Sequence, residues 1–198
     1  MKLRLTGLSL LLAAVPLLAQ AADPSATAPA TQRTAMLQAL PRGAAFTANS
    51  QQYQMLPSVR AVASTPQESP QQALAQVGGG KVIETKGAYV VYTATQQGPA
   101  ALSVVSGRTS FPTVVNIRTN GIGILPGTIR ARLKDPSSAE AVASAHGLQL
   151  VRNFPHLQTA FYQAASGQDV VAAAAAVAAD PRVVSAEPEV LEHVKVPY

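Results

Sequence analysis

The clearest rhythm of apolar and polar positions lies in the last third of the chain. From Thr128 to Lys134, Ile129, Ala131 and Leu133 alternate with Arg130, Arg132 and Lys134, which predicts a strand with one buried face. Asp135 suits an N-cap and Pro136 the first helical position, so a helix is expected to run to His146, with Ala139, Val142 and Ala143 inward and Gly147 as its stop. Leu148 to Phe154 reads as a second strand, Pro155-His156 as a turn, and Leu157 to Ala164 as a third strand. Gly167 precedes a second helix, Gln168 to Ala179, with Asp169 near its positive end and Asp180-Pro181 as its terminator. Its run of alanines is a good helix former, and Val170, Ala174, Val177 and Ala178 form the expected packing stripe. Arg182 to Glu187 supplies a fourth strand, followed by a tail.

That order, βαββαβ, predicts an α+β unit over 127–198 of the ferredoxin-like split type. Two helices would cover one face of its antiparallel sheet and leave the other open. Upstream, 81–126 is dense in Val, Ile, Thr and Tyr. Lys81 to Lys86 and Tyr89 to Thr95 flank Gly87 as a hairpin. Leu102 to Ser106, Thr113 to Arg118 and Ile122 to Leu125 follow between Gly98-Pro99, Gly107 and Asn120-Gly121. A small all-β domain of about five strands is expected there.

Residues 22–80 are biased toward Ala, Gln, Pro, Ser and Thr, with prolines at 24, 29, 41, 57, 66 and 70. This composition predicts a flexible leader. The alternative is a short helix around Thr34 to Leu40 that docks Met36, Leu37 and Leu40 on the β domain. Residues 1–21 read as a secretory signal peptide: basic Lys2 and Arg4, an apolar Leu5 to Leu18, and a small-residue site at Ala19-Gln20-Ala21. The expected localisation is periplasmic or secreted, with no membrane contact after removal of the signal.

Composition narrows the chemistry. The chain has no cysteine, which excludes disulfides, thiol nucleophiles and cysteine metal sites. It has no tryptophan and few aromatics, and without Lys2 and Arg4 its positive excess is small, so no nucleic-acid partner is expected. Gly121, Gly123 and Gly127 imitate half a dinucleotide fingerprint, but Pro126 and a strand stand where a helix is required. His146, His156 and His193 have no ligand spacing, and His146 is expected to serve the terminal carbonyls of its helix. No nucleophile or paired-carboxylate arrangement stands out. The expectation is a non-enzyme with no metal and no cofactor.

The last 71 residues resemble the propeptide domain of subtilisin-like serine proteases. Ala145-His146-Gly147-Leu148 followed by Val151-Arg152-Asn153-Phe154 is similar to its helix-to-strand passage. Asp180-Pro181-Arg182-Val183-Val184 leading to Ala186-Glu187-Pro188-Glu189 is similar to its closing motif. Glu192-His193-Val194-Lys195-Val196-Pro197-Tyr198 resembles the stretch that ends such propeptides at a tyrosine. In those precursors a protease domain follows; here the sequence stops, and a signal peptide and β domain precede. The whole resembles the external chaperones of secreted subtilisin- or kexin-like proteases, over 81–198.

The resemblance implies an intermolecular chaperone and product-like inhibitor whose partner is a subtilisin-like or kexin-like serine protease. The open sheet face would press on two protease helices, and the tail would enter the substrate cleft as an added strand. Tyr198 would fill the first specificity pocket, with Pro197, Val196 and Lys195 in successive subsites. Glu192 would cap one protease helix. Val190 stands where a second capping carboxylate is expected, and Glu189 replaces it only with a register change. Lys195 departs from the usual small apolar residue and suits either an acidic cleft wall or solvent. A different class of reading is a cell-envelope binding module whose ferredoxin-like domain meets an unrelated ligand.

Overall fold

The structure, a computed structural model, describes residues 30–95, 98 and 100–192. The expected signal peptide and the first part of the expected leader lie outside these residues. The first half of the described chain contains α1 (Ala30–Ala39), β1 (Ala45–Ala48), β2 (Gln51–Ala63), α2 (Pro70–Ala75), β3 (Lys81–Lys86), β4 (Tyr89–Thr93), β5 (Ser103–Val105), β6 (Arg108–Asn116) and β7 (Ile122–Ile124). The second half contains β8 (Thr128–Leu133), α3 (Ala139–Ala145), β9 (Gln149–Phe154), β10 (Thr159–Gln163), α4 (Val170–Ala178) and β11 (Val183–Pro188).

Two antiparallel sheets result. The first has seven strands in the order β3-β4-β2-β6-β5, with β1 also on β2 and β7 also on β6. Its central strand comes from the expected flexible leader. β2 spans 13 residues and buries Tyr53, Met55, Leu56, Val59, Ala61 and Val62. Residues 45–63 are thus built into the sheet, Ala73 and Leu74 of α2 pack against Val62, Val90 and Tyr92, and the five-strand unit over 81–126 is incomplete without them. The docking helix is present too: Leu37 of α1 is buried beside Leu56 and Val59, with Met36 and Leu40 packed around it.

The prolines of this region do not interrupt its elements. Pro57 sits where the β2–β6 register breaks between Met55 and Arg60, so its missing N–H leaves no ladder bond unmade. Pro70 begins a helix instead of stopping one. Ser69 accepts from the Gln72 N–H at 3.3 Å, and Gln72 accepts from the Ser69 N–H at 2.8 Å, a complete capping box.

The second sheet has four strands in the order β11-β8-β10-β9, each pair antiparallel. α3 and α4 bury Ala139, Val142, Ala143, Val170, Ala173, Ala174 and Val177 against Ile129, Ala131, Leu133, Ala160 and Tyr162. Ala173, not Ala178, completes the α4 stripe. Asp135 is an N-cap as expected, and Asp169, expected only near the positive end of its helix, is the N-cap of α4. Asp169 accepts from the Val171 and Ala172 N–H groups, both at 2.9 Å, and Asp135 accepts from the Ser137 N–H at 2.9 Å. A 3-10 turn over Pro136–Ser138 precedes α3.

The two sheets meet through the chain. Ala101 bridges to Asp169, and Ile124 bridges to Leu191. Among the described residues no helix is long and apolar enough to cross a membrane.

Candidate functional site

The alternation of β8 places Ile129, Ala131 and Leu133 beneath the helices and turns Arg130 and Arg132 to the other face. Cross-strand partners share that face. Arg130 stands opposite Phe161 and Glu187, Arg132 opposite Thr159 and Ser185, Arg152 opposite Phe161, and Phe154 opposite Thr159. The helices lie on the reverse side, so this surface is left open. It carries an aromatic pair, Phe154 and Phe161, whose ring centroids are 5.8 Å apart and edge-on. The Arg152 guanidinium lies 5.6 Å from the Phe154 centroid. A shallow cleft lined by Arg130, Arg132, Thr159, Ser185 and Glu187 adjoins it. The face is therefore mixed: exposed cations beside half-exposed rings.

At one edge of this face Arg130 is tied down. It pairs with Glu187 and donates to Asn49 Oδ1 at 2.8 Å. The Asn49 N–H donates to Glu187 Oε2 at 2.7 Å. Asn49 is the tip of the β1–β2 hairpin, so the first sheet reaches across to the edge of the second.

Beyond β11 the chain crosses to the first sheet. The Glu189 N–H donates to the Thr128 carbonyl at 2.8 Å, and Leu191 exchanges two backbone bonds with Ile124, at 2.9 and 3.1 Å. The Glu192 carboxylate accepts from the Tyr53 hydroxyl at 3.2 Å. Burial, reinforced by the Glu192 charge, pushes the Tyr53 hydroxyl up from its ordinary value.

Of the residues singled out from the sequence, Glu189 and Glu192 are half-exposed on this crossing segment. Glu192 is engaged by Tyr53, and Glu189 is held by its backbone. Lys195, Val196, Pro197 and Tyr198 lie outside the described residues, as does His193. His146 is the C-cap of α3 and its backbone N–H donates to the Val142 and Ala143 carbonyls, both at 3.3 Å, while its ring Nε2 lies 3.0 Å from Asp180 Oδ2. His156 lies in the 3-10 turn over Pro155–Leu157. No cluster of metal-ligating side chains occurs among the described residues.

Tyr53 and Asn49 escaped sequence reasoning because they lie in the expected leader, and Gly123 stood out there only as part of an imitation fingerprint. For Gly123 a signal was available: glycine within a strand marks a close backbone approach, and Val190 packs against it.

A family model described as the open reading frame 2 N-terminal domain matches residues 28–196. Among solved structures, a chain of the crystal structure of Aeromonas sobria serine protease in complex with the chaperone ORF2 is similar at 20% identity and a TM-score of 0.37, covering 50% of this chain and 100% of that one. No curated protein matches. With more than half its length matched by that one model, the chain belongs to the open reading frame 2 N-terminal domain family.

Proposed function

We propose that this protein is an exported intermolecular chaperone of a subtilisin-like serine protease, and that it inhibits the same protease. The observation that carries the reading is the open face of the four-stranded sheet. It is a broad surface with rings and cations, backed by helices, and its last strand feeds the segment that leads to the tail. Three further points support it. The closing stretch, Asp180 to Glu189, is similar to the propeptide motif. The order of β8 to β11 with α3 and α4 suits a ferredoxin-like propeptide unit. The family's designation, open reading frame 2, is also that of the chaperone in the Aeromonas complex.

In this reading the sheet face docks on two protease helices, and Lys195 to Tyr198 lie in the substrate cleft as an added strand. Tyr198 fills the first specificity pocket. Glu192 caps a protease helix. A carboxylate has about four lone-pair sites, so Glu192 can keep Tyr53 and still accept from helix N–H groups. Binding to the native protease stabilises it by mass action, and binding to its folding transition state speeds folding. The reading assigns the chain no chemistry of its own. Lys2, Arg4 and the apolar stretch after them support export to the periplasm or beyond.

Titration of subtilisin- and kexin-type proteases with the purified chain tests this. Inhibition at near-stoichiometric ratios is expected, with affinity on the order of nanomolar. Deletion of 195–198 is expected to weaken inhibition strongly and leave circular dichroism unchanged. Undiminished protease activity at micromolar excess across the panel contradicts inhibition.

A further inference from the structure

The crossing segment after β11 is seated in the first sheet by an unusual notch. A Cβ on Gly123 would overlap Val190 Cγ1 and would stand 2.9 Å from Val114 Cγ2. Gly123 does not have a positive φ, so conformational freedom does not account for the glycine. Close approach does: the absence of a side chain lets Val190 settle against β6 and β7. There it joins Tyr53, Met55, Val114 and Leu125 in one apolar cluster. On one side of this seat, Leu191 exchanges backbone bonds with Ile124. Glu192 then meets the Tyr53 hydroxyl, and Tyr53 is itself fixed by stacking on Phe46 at 5.7 Å.

We infer that the seven-stranded sheet is a holder for the root of the tail. Tyr53, Gly123 and Val190 fix the position and direction in which the chain passes Glu192, and so pre-orient the segment beyond it for its partner. This rests on the reading of 195–198 as the cleft-binding segment. The three are positioning residues: they act through the backbone of 189–192 and need no contact with the protease. The physical gain is pre-organisation. A segment held at its root in the bound direction loses less conformational freedom on binding than one hinged at the end of β11. It also gives the first sheet a task that the open face of the second does not perform.

A contact that only glued the two sheets together would matter with or without the tail. The experiment uses that difference. Tyr53→Phe, Val190→Ser and Gly123→Ala are made in the full chain and again in a chain lacking 193–198. Amide hydrogen exchange at Leu191 and inhibition of the most strongly inhibited protease of the panel are measured for each. In the full chain the variants are expected to speed Leu191 exchange about tenfold while Ile129 and Ala131 stay protected, and to weaken inhibition about tenfold. In the shortened chain the same substitutions are expected to change residual binding less than about twofold. If Gly123→Ala fails to fold, Tyr53→Phe and Val190→Ser, which introduce no bulk, carry the test. Wild-type inhibition by the full-chain variants overturns the inference, as does equal weakening with and without 193–198. Either result leaves the proposed function standing. If the wild-type chain inhibits no protease of the panel, the functional reading falls and the inference falls with it.

Discussion

Arg182 folds back on Asp180, two residues before it. Its Nε and a terminal nitrogen reach the carboxylate at 2.9 and 2.6 Å, and its own backbone N–H donates at 2.9 Å. His146 Nε2 approaches the same carboxylate at 3.0 Å from the end of α3. Asp180 thereby ties the exit of α4, the entry of β11 and the end of α3. The Arg182 hydrogen bonds, chief among these contacts, hold the Asp180 carboxyl well below the usual carboxylate range.

A depressed carboxyl pKa stabilises the fold above the unfolded-state value, and that stability is lost as pH falls through the folded one. Asp180→Asn is therefore expected to lower Tm at pH 7. Below about pH 4, where the unfolded carboxyl begins to protonate, the wild-type Tm is expected to fall more steeply than the variant's. Thermal melts across pH 2 to 7 check this. A gap that stays constant into acid would show that the charge of Asp180 is not what stabilises the junction.

Deleting 30–80 is expected to abolish the first sheet. The cut removes β2, the partner of both β4 and β6, and leaves two strand edges and the Ile83, Val91 and Val115 surfaces exposed. The chain lacking 30–80 should lose much of its β signal in circular dichroism and aggregate. A soluble, fully folded product would mean that β2 is dispensable.

The C-terminal unit was legible because its signals are local: period-two alternation in β8, Asp and Pro at helix starts, Gly147 at a helix end. The leader was not legible because its order is imposed from outside. The second half of β2 packs on both faces, Val59 and Ala61 in one apolar cluster and Val62 in another with Ala73 and Leu74 of α2, so Val59 to Val62 are all buried and show no alternation. Its one charge, Arg60, looks like a surface residue in sequence. In the fold it is buried and donates to the Ser110 and Ala101 carbonyls at 2.7 and 2.9 Å. The open face was readable from Arg130 and Arg132, but the seat of the tail root was not. It joins Tyr53 to Glu192 across 139 positions of sequence.

Arg60 yields its own prediction. Its Nε and a terminal nitrogen also reach the Ser110 and Ser103 hydroxyls, at 3.1 and 3.0 Å, so one side chain satisfies acceptors on β6 and on the segment before it. Burial lowers its pKa from the ordinary value. Arg60→Ala leaves those buried carbonyls unpaired and is expected to cost about 3 kcal/mol. Chemical denaturation measures it; a loss below about 1 kcal/mol would contradict this role.

The β1–β2 turn offers a gain. Asn49 and Ser50 have φ of 49° and 59° and join Ala48 to Gln51 as a two-residue hairpin loop. Asparagine adopts that region readily and serine only at a cost, so Ser50→Gly is expected to stabilise the chain by about 0.5–1 kcal/mol. The denaturation midpoint should rise with an unchanged slope.

The most direct test is refolding of a denatured subtilisin-like protease in the presence of this chain, compared with the open-face double variant Arg132→Glu/Phe154→Asp. Recovered protease is assayed after the chain has been removed. The wild-type chain is expected to raise the yield of active protease several-fold, and the double variant, with its own fold intact, to give the yield of protease alone. An equal yield with wild-type chain, double variant and no chain would contradict the chaperone role, and an equal rise with both proteins would contradict the open sheet face as the surface that performs it.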